Sequence, residues 1–148
     1  MMNVIDILII EDNRHDEVMI LDALREHNIQ DKIHVLRDGK EALDYFFGPQ
    51  GCLGKVGICY PRVVLLDLNL PKVGGIEVLK RLKSDERTRD IPVIIFTSSD
   101  EAKDRNESSL LGANSYIVKP LNANCFSRSV ADIASYWLMM NRTPYREA

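Results

Sequence analysis

Asp67 follows the apolar run Val63-Val64-Leu65-Leu66 and precedes Leu68-Asn69-Leu70-Pro71, so a carboxylate stands where a buried strand opens into a loop. Other runs end in the same way: Asp6 to Ile10 in Glu11-Asp12, Ile91 to Phe96 in Thr97-Ser98, and Ser115 to Val118 in Lys119-Pro120. Parallel strands bring their carboxyl ends to one edge, where doubly wound α/β proteins keep their chemistry. Glu11, Asp12, Asp67, Thr97 and Lys119 are therefore expected in one crevice. Carboxylates crowded there stay ionised only around a divalent cation, and an all-oxygen set suits Mg²⁺ or Mn²⁺. Asp12 and Asp67 are the expected direct ligands, Glu11 would hold a metal-bound water, and the backbone carbonyl of Asn69 would complete the shell. The open positions of such a metal accept phosphate oxygens, which points to phosphoryl transfer. Asp67 would be the nucleophile, forming an aspartyl phosphate, with Lys119 neutralising charge and Thr97 offering a hydroxyl.

The elements that position these groups alternate between strand and helix. Asn13 is placed to cap a helix over Arg14 to Asn28 with Val18, Leu21, Ala23, Leu24 and Met19 in its apolar stripe. Ile33 to Leu36 is a strand, Asp38-Gly39 a turn, and Lys40 to Phe47 a short helix. Gly48, Pro49, Gly51, Gly54, Gly57 and Pro61 punctuate the stretch from 48 to 62 too densely for a regular helix, which makes it an extended loop. Helices follow at Gly75 to Leu82 and Glu101 to Leu111, the latter stopped by Gly112. A last helix runs from Asn122 or Ala123 to Met140, leaving 141–148 as a tail. Five strands and five helices in alternation predict a flavodoxin-like doubly wound parallel sheet, strand order 2-1-3-4-5, in three α/β/α layers.

At 148 residues the chain is expected to be one domain, its core from about 6 to 140. Apolar residues at 45% and charged residues at 28% are ordinary, and a net charge of -3 gives no footprint for nucleic acid. No apolar run approaches the roughly 20 residues that span a bilayer, and Met1-Met2-Asn3 leads straight into a strand. Neither nucleic acid nor membrane is an expected partner, and a cytoplasmic location is. Cys52, Cys59 and Cys125 lack close C-x-x-C spacing and are read as thiols. His15, His27 and His34 have no ligand spacing and are read as surface residues, and Lys80, Arg81, Lys83, Arg87 and Arg89 as a solvated helix end.

Glu11-Asp12, Asp67-Leu68-Asn69-Leu70-Pro71 with Gly75, Thr97 thirty residues after Asp67, Tyr116, and Lys119-Pro120 together resemble the receiver domain of two-component response regulators. The resemblance covers Asp6 to Met140. It implies phosphorylation of Asp67 by a histidine kinase, a swing of Thr97 toward the phosphoryl group, an inward turn of Tyr116, and a cis Lys119-Pro120 bond. By the same resemblance, the output face comprises the fourth helix, fifth strand and last helix. Asn69 and Ser99 flank the approach of hydrolytic water and are expected to set the phosphate lifetime. The sequence departs from the pattern at Gly74, where an acidic or amide residue often stands, and in the 48–62 insertion. That insertion, Lys72 and the aromatic end Tyr136-Trp137-Leu138 resemble single-domain regulators that pair with bacterial and cyanobacterial phytochrome kinases.

Taken alone, Glu11-Asp12 would suit a helix N-terminus, Thr97-Ser98-Ser99 a helix cap, and Tyr116 strand packing. Their joint spacing favours the phosphorylated switch, whose only catalysis would be self-phosphorylation from phosphodonors and autodephosphorylation. The rival is a haloacid-dehalogenase-like Mg²⁺-dependent phosphatase, which needs a general acid two residues after the nucleophile, where Asn69 stands. A phosphate-independent scaffold would lack an acidic residue or the lysine, and none is missing. Tyr136, Trp137 and Leu138 form the apolar cluster expected at a homodimer interface.

Overall fold

A computed structural model describes residues 5–29, 32–52 and 61–141. The strands are β1 (Ile7–Ile10), β2 (Ile33–Leu36), β3 (Val63–Leu66), β4 (Val93–Thr97) and β5 (Ser115–Val118). The helices are α1 (Arg14–Glu26), α2 (Gly39–Phe47), α3 (Gly75–Ser84), α4 (Ala102–Leu110) and α5 (Ala123–Ser135), and a π-helical turn, Tyr136–Met140, continues α5. All pairings are parallel and the strand order is β2-β1-β3-β4-β5, as the alternation predicts.

Strands β1, β3 and β4 read as unbroken apolar runs because helices bury both faces of the sheet. Leu8, Ile10, Val64, Leu66, Val93 and Ile95 alternate to the face covered by Phe46 of α2 and Val78, Leu79 and Leu82 of α3. Ile7, Ile9, Val63, Leu65, Ile94 and Phe96 face α1 and α5, where Phe96 meets Phe126 edge-on at 5.1 Å.

Local chemistry sets the ends of the helices. Asn13 caps α1 by accepting from the Asp16 N–H at 2.9 Å. Gly112, at φ +100°, closes α4, its N–H reaching the Ser109 carbonyl while that of Ala113 reaches Ser108. Asp38 is a helix cap and not part of a turn: its carboxylate accepts from the Glu41 N–H, and Gly39 opens α2.

Several expectations change. Helix α1 ends at Glu26, with Asn28 in the left-handed region at φ 59°. Val18 does not join its apolar stripe and is 51% exposed; Ile20 is buried instead, and so is Glu17, whose carboxylate receives the Arg37 guanidinium through two bonds of 3.0 and 2.9 Å. That pairing lets a charged residue occupy a buried helical position. Helix α3 runs two residues past Leu82, and β4 begins only after Pro92, which has no N–H to give the ladder. Helix α5 does not continue unchanged to Met140, because at Tyr136 it widens. The Asn141 N–H then bonds the Tyr136 carbonyl, and the Arg62 guanidinium takes the Leu138 carbonyl.

The Lys119-Pro120 bond is trans, since no cis peptide occurs among the described residues. The isomers of an X–Pro bond differ by only about 0.5–1 kcal/mol, so Lys-Pro alone does not dictate one. Of the 48–62 insertion, Cys52 is buried in the core beside Phe46, while residues 53–60, with Cys59, lie outside the described residues. Tail residues 142–148 also lie outside them.

Candidate phosphoryl-transfer site

The ladder carries the site residues past the formal strand ends. The Glu11 N–H bonds Leu36, that of Asp67 bonds Ile10, and that of Lys119 bonds Thr97. Glu11, Asp67 and Lys119 are thus fixed side by side at the carboxyl edge, and Thr97, on β4, separates the last two. Glu11, Asp67, Thr97 and Lys119 are buried, and Asp12 is exposed at the rim.

Lys119 is the centre of the arrangement. Its ammonium lies 2.7 Å from Glu11 Oε1, 2.8 Å from Asp67 Oδ2 and 2.7 Å from Asp16 Oδ2. An ammonium has three protons, so these three carboxylates use its whole donor capacity. The other oxygens are engaged as well: Asp67 Oδ1 accepts from the Asn69 N–H at 3.1 Å, and Glu11 Oε2 from the Asn13 N–H at 3.1 Å.

The charges respond unequally. Burial, and next the charge of Asp67, push the Glu11 carboxyl up to about 8 despite Lys119. Burial also acts to raise Asp67, but the Lys119 ammonium and the Asn69 N–H outweigh it and hold Asp67 below the usual carboxylate range. Burial would lower Lys119, yet its bonds to Asp16, Asp67 and Glu11 hold it above an ordinary lysine.

Glu11, Asp12 and Asp67 can each offer an oxygen within 4.8 Å of the others. Three carboxylates around one ammonium leave excess negative charge, which the raised Glu11 records, and an all-oxygen set of this kind fits a hard divalent cation.

The loop after Asp67 is held by two close backbone approaches. A Cβ on Gly75 would lie 2.3 Å from the Asp67 carbonyl oxygen, so only glycine lets α3 start there, its N–H bonding the Leu68 carbonyl. A Cβ on Gly39 would lie 1.7 Å from the Val73 carbonyl oxygen. Lys72 takes the left-handed conformation at φ 68°, its ammonium 3.5 Å from the Asp38 carboxylate.

Of the other expected residues, Ser99 turns its hydroxyl to α4, donating to Asp104 at 2.6 Å and accepting from the Glu101 N–H. Tyr116 is half-buried, and its hydroxyl donates to the Ser99 carbonyl at 2.8 Å. Leu138 does not belong to an exposed cluster: the π-helical turn folds it into the core at 7% exposure, and Trp137 packs against the same core. Tyr136, Met139 and Met140 are the exposed apolar residues there. Lys83 leaves the solvated basic run to donate to the carbonyls of Arg89 and Ile91 and to Asn114 Oδ1. Asp16 is the site residue that sequence reasoning missed; the available signal was the Asn13 cap, which places Asp16 in the first turn of α1, facing the sheet edge.

The model of the response regulator receiver domain matches residues 7–131. Probable methanogenesis regulatory protein FilR2 of Methanothrix harundinacea is 43% identical over 138 residues, 93% of this chain and 86% of the relative. Response regulator Rcp1 of Synechocystis is 35% identical over 132 residues, 89% and 88% of the two chains. Among solved structures, the phosphorylated cyanobacterial phytochrome response regulator RcpA superposes with a TM-score of 0.85 at 34% identity, covering 96% of this chain and 99% of the other. The Mn²⁺-bound form of Rcp1 superposes at 0.83 with 33% identity, covering 94% and 98%. The chain belongs to the response regulator receiver domain family, and its function is that of a signalling regulator, not a haloacid-dehalogenase-like phosphatase. Receiver domains bind divalent metal, as the Mn²⁺-bound form of Rcp1 does, and the acidic cluster of this chain is one that could hold such an ion. No helix among the described residues is long and apolar enough to cross a membrane.

Proposed function

We propose that the chain is a single receiver domain that takes a phosphoryl group from a histidine kinase onto Asp67 and thereby switches a protein contact. The observation that carries this reading is the Lys119 ammonium held between Asp67 and Glu11 with Asp12 at the rim. An Asp67 carboxylate oxygen attacks phosphorus, the bond from phosphorus to the donor breaks, and its electron pair leaves with the donor imidazole. Mg²⁺, held by Asp12, Asp67, the Asn69 carbonyl and a water on Glu11, would neutralise the phosphoryl oxygens. Lys119 meets one of those oxygens as Asp67 loses its charge, and Thr97 offers its hydroxyl from the neighbouring strand end.

The signal leaves through the loop after Thr97, because Ser99 is bound to both α4 and Tyr116. Asn69 and Ser99 tune the lifetime of the phosphate. A phytochrome-type kinase is the partner suggested by the likeness to RcpA. Tyr136, Trp137 and the neighbouring methionines supply the apolar surface of a homodimer. Incubation with acetyl phosphate and Mg²⁺, followed by intact mass, tests the reading: a phosphoryl mass gain is expected in the native chain and not in Asp67→Asn or with chelator. No gain in a folded, cation-loaded native protein would refute it.

A further inference from the structure

Lys119 has three anchors, and two of them change during the reaction just proposed, on which this inference rests. Asp67 ceases to be an anion when its oxygen bonds phosphorus, and Glu11 belongs to the oxygen cluster that a cation draws together. Asp16 is different. It lies outside that cluster and is not the nucleophile, yet its Oδ2 holds the ammonium at 2.7 Å across 103 residues of sequence.

We propose that Asp16 is a positioning residue whose carboxylate keeps the Lys119 ammonium aimed across the crevice while its other two anchors are withdrawn. The local structure suits this role. The Asn13 side chain fixes the first turn of α1 through the Asp16 N–H at 2.9 Å, so the Asp16 carboxylate springs from a rigid point. Its side chain is 22% exposed, against 6% for Lys119, so the contact is a charge-assisted bond shielded from much of the solvent. A lysine has four rotatable bonds, and an ammonium released on every side would have to be reordered at the moment of transfer. With Asp16 in place, one donor stays fixed and the remaining two swing from Asp67 and Glu11 toward the phosphoryl oxygen. The step itself balances without Asp16: with acetyl phosphate as donor, the Asp67 oxygen bonds phosphorus and the electron pair of the broken bond leaves on acetate.

The test compares the native chain, Asp16→Ala and Asp16→Asn, which keeps an oxygen acceptor at the same place. At saturating Mg²⁺, acetyl phosphate should modify Asp16→Ala about tenfold more slowly than the native chain, and Asp16→Asn should recover most of that loss. A native rate in Asp16→Ala, or equal losses in the two variants, would overturn the proposal. A second readout needs no phosphodonor: the side-chain ammonium resonance of ¹⁵N-labelled Lys119, recorded at saturating Mg²⁺, which draws Glu11 and Asp67 toward the cation, should be sharp in the native chain and Asp16→Asn and exchange-broadened in Asp16→Ala. An unchanged resonance in Asp16→Ala also overturns it. If the native chain accepted no phosphoryl group, the reading of Asp67 would fail, while the resonance would still judge the hold of Asp16 on Lys119.

Discussion

Glu11 and Asp67 touch the same ammonium, at 2.7 and 2.8 Å, and are pushed in opposite directions, Glu11 up to about 8 and Asp67 below the ordinary carboxylate range. The difference lies in the balance around each. Each accepts a backbone N–H, from Asn69 and from Asn13 respectively for Asp67 and Glu11, but burial and then the charge of Asp67 raise Glu11, whereas Lys119, the Asn69 N–H and a hydrogen bond from Glu11 outweigh burial at Asp67. Without a cation, the cluster resolves its crowding by placing the proton on Glu11.

This sets a pH dependence. The folded value of Glu11 is raised from 4.5 to about 8, so its contribution to stability is complete below 4.5 and is lost as pH rises through 8. Asp67, being lowered, acts only in more acidic solution. Urea denaturation in chelator should show the native chain weaker at pH 8.5 than at pH 5 by more than Glu11→Gln, and Mg²⁺ should restore stability at the higher pH. Equal slopes for the two proteins would refute the assignment.

Lys119→Met removes the common partner of three carboxylates. In chelator it should lower stability by about 3 kcal/mol, the scale for orphaning a buried charge, less whatever Glu11 recovers by taking a proton. Mg²⁺ should return part of the loss, while modification by acetyl phosphate stays far slower than in the native chain. Native-like denaturation in chelator would contradict the triple pairing.

Gly75→Ala puts a methyl group against the Asp67 carbonyl, and neither backbone can yield without moving the nucleophile. The expected cost is about 1–3 kcal/mol with weakened Mg²⁺ uptake, read by denaturation and calorimetric titration. Gly74→Ala, where a Cβ meets nothing within 4 Å, is the control. Equal behaviour of the two variants would rule out the close approach.

The C-terminal aromatic segment divides into core and surface. Leu138→Ala should destabilise by about 2–4 kcal/mol through the cavity it leaves. Met140→Lys should leave stability unchanged and, if the surface pairs two copies, reduce the mass measured by light scattering. Equal loss of stability in both variants would show that the segment is not divided in this way.

The strands and their order were legible because burial on both faces makes β1, β3 and β4 continuous apolar runs, and the polar residue ending each run marks the site. What escaped depends on partners distant in sequence. Glu17 could be identified as buried only by knowing that Arg37, twenty residues on, would reach it. Lys83 looks solvated until the loop after α3 wraps its carbonyls around the ammonium. Leu138 reads as part of an exposed patch because the π-helical turn that carries it is tied by Arg62, just before β3 and 76 residues away. Asp16 was hidden for the same reason, since its partner lies at the end of β5.

Ser99 grips two elements from opposite sides of one residue: its hydroxyl holds Asp104 of α4, and its carbonyl holds Tyr116 of β5. Displacing this residue loosens both together, so the helix and the aromatic ring cannot carry independent messages. A displacement at Ser99 would thus reach the outer surface as a single bit.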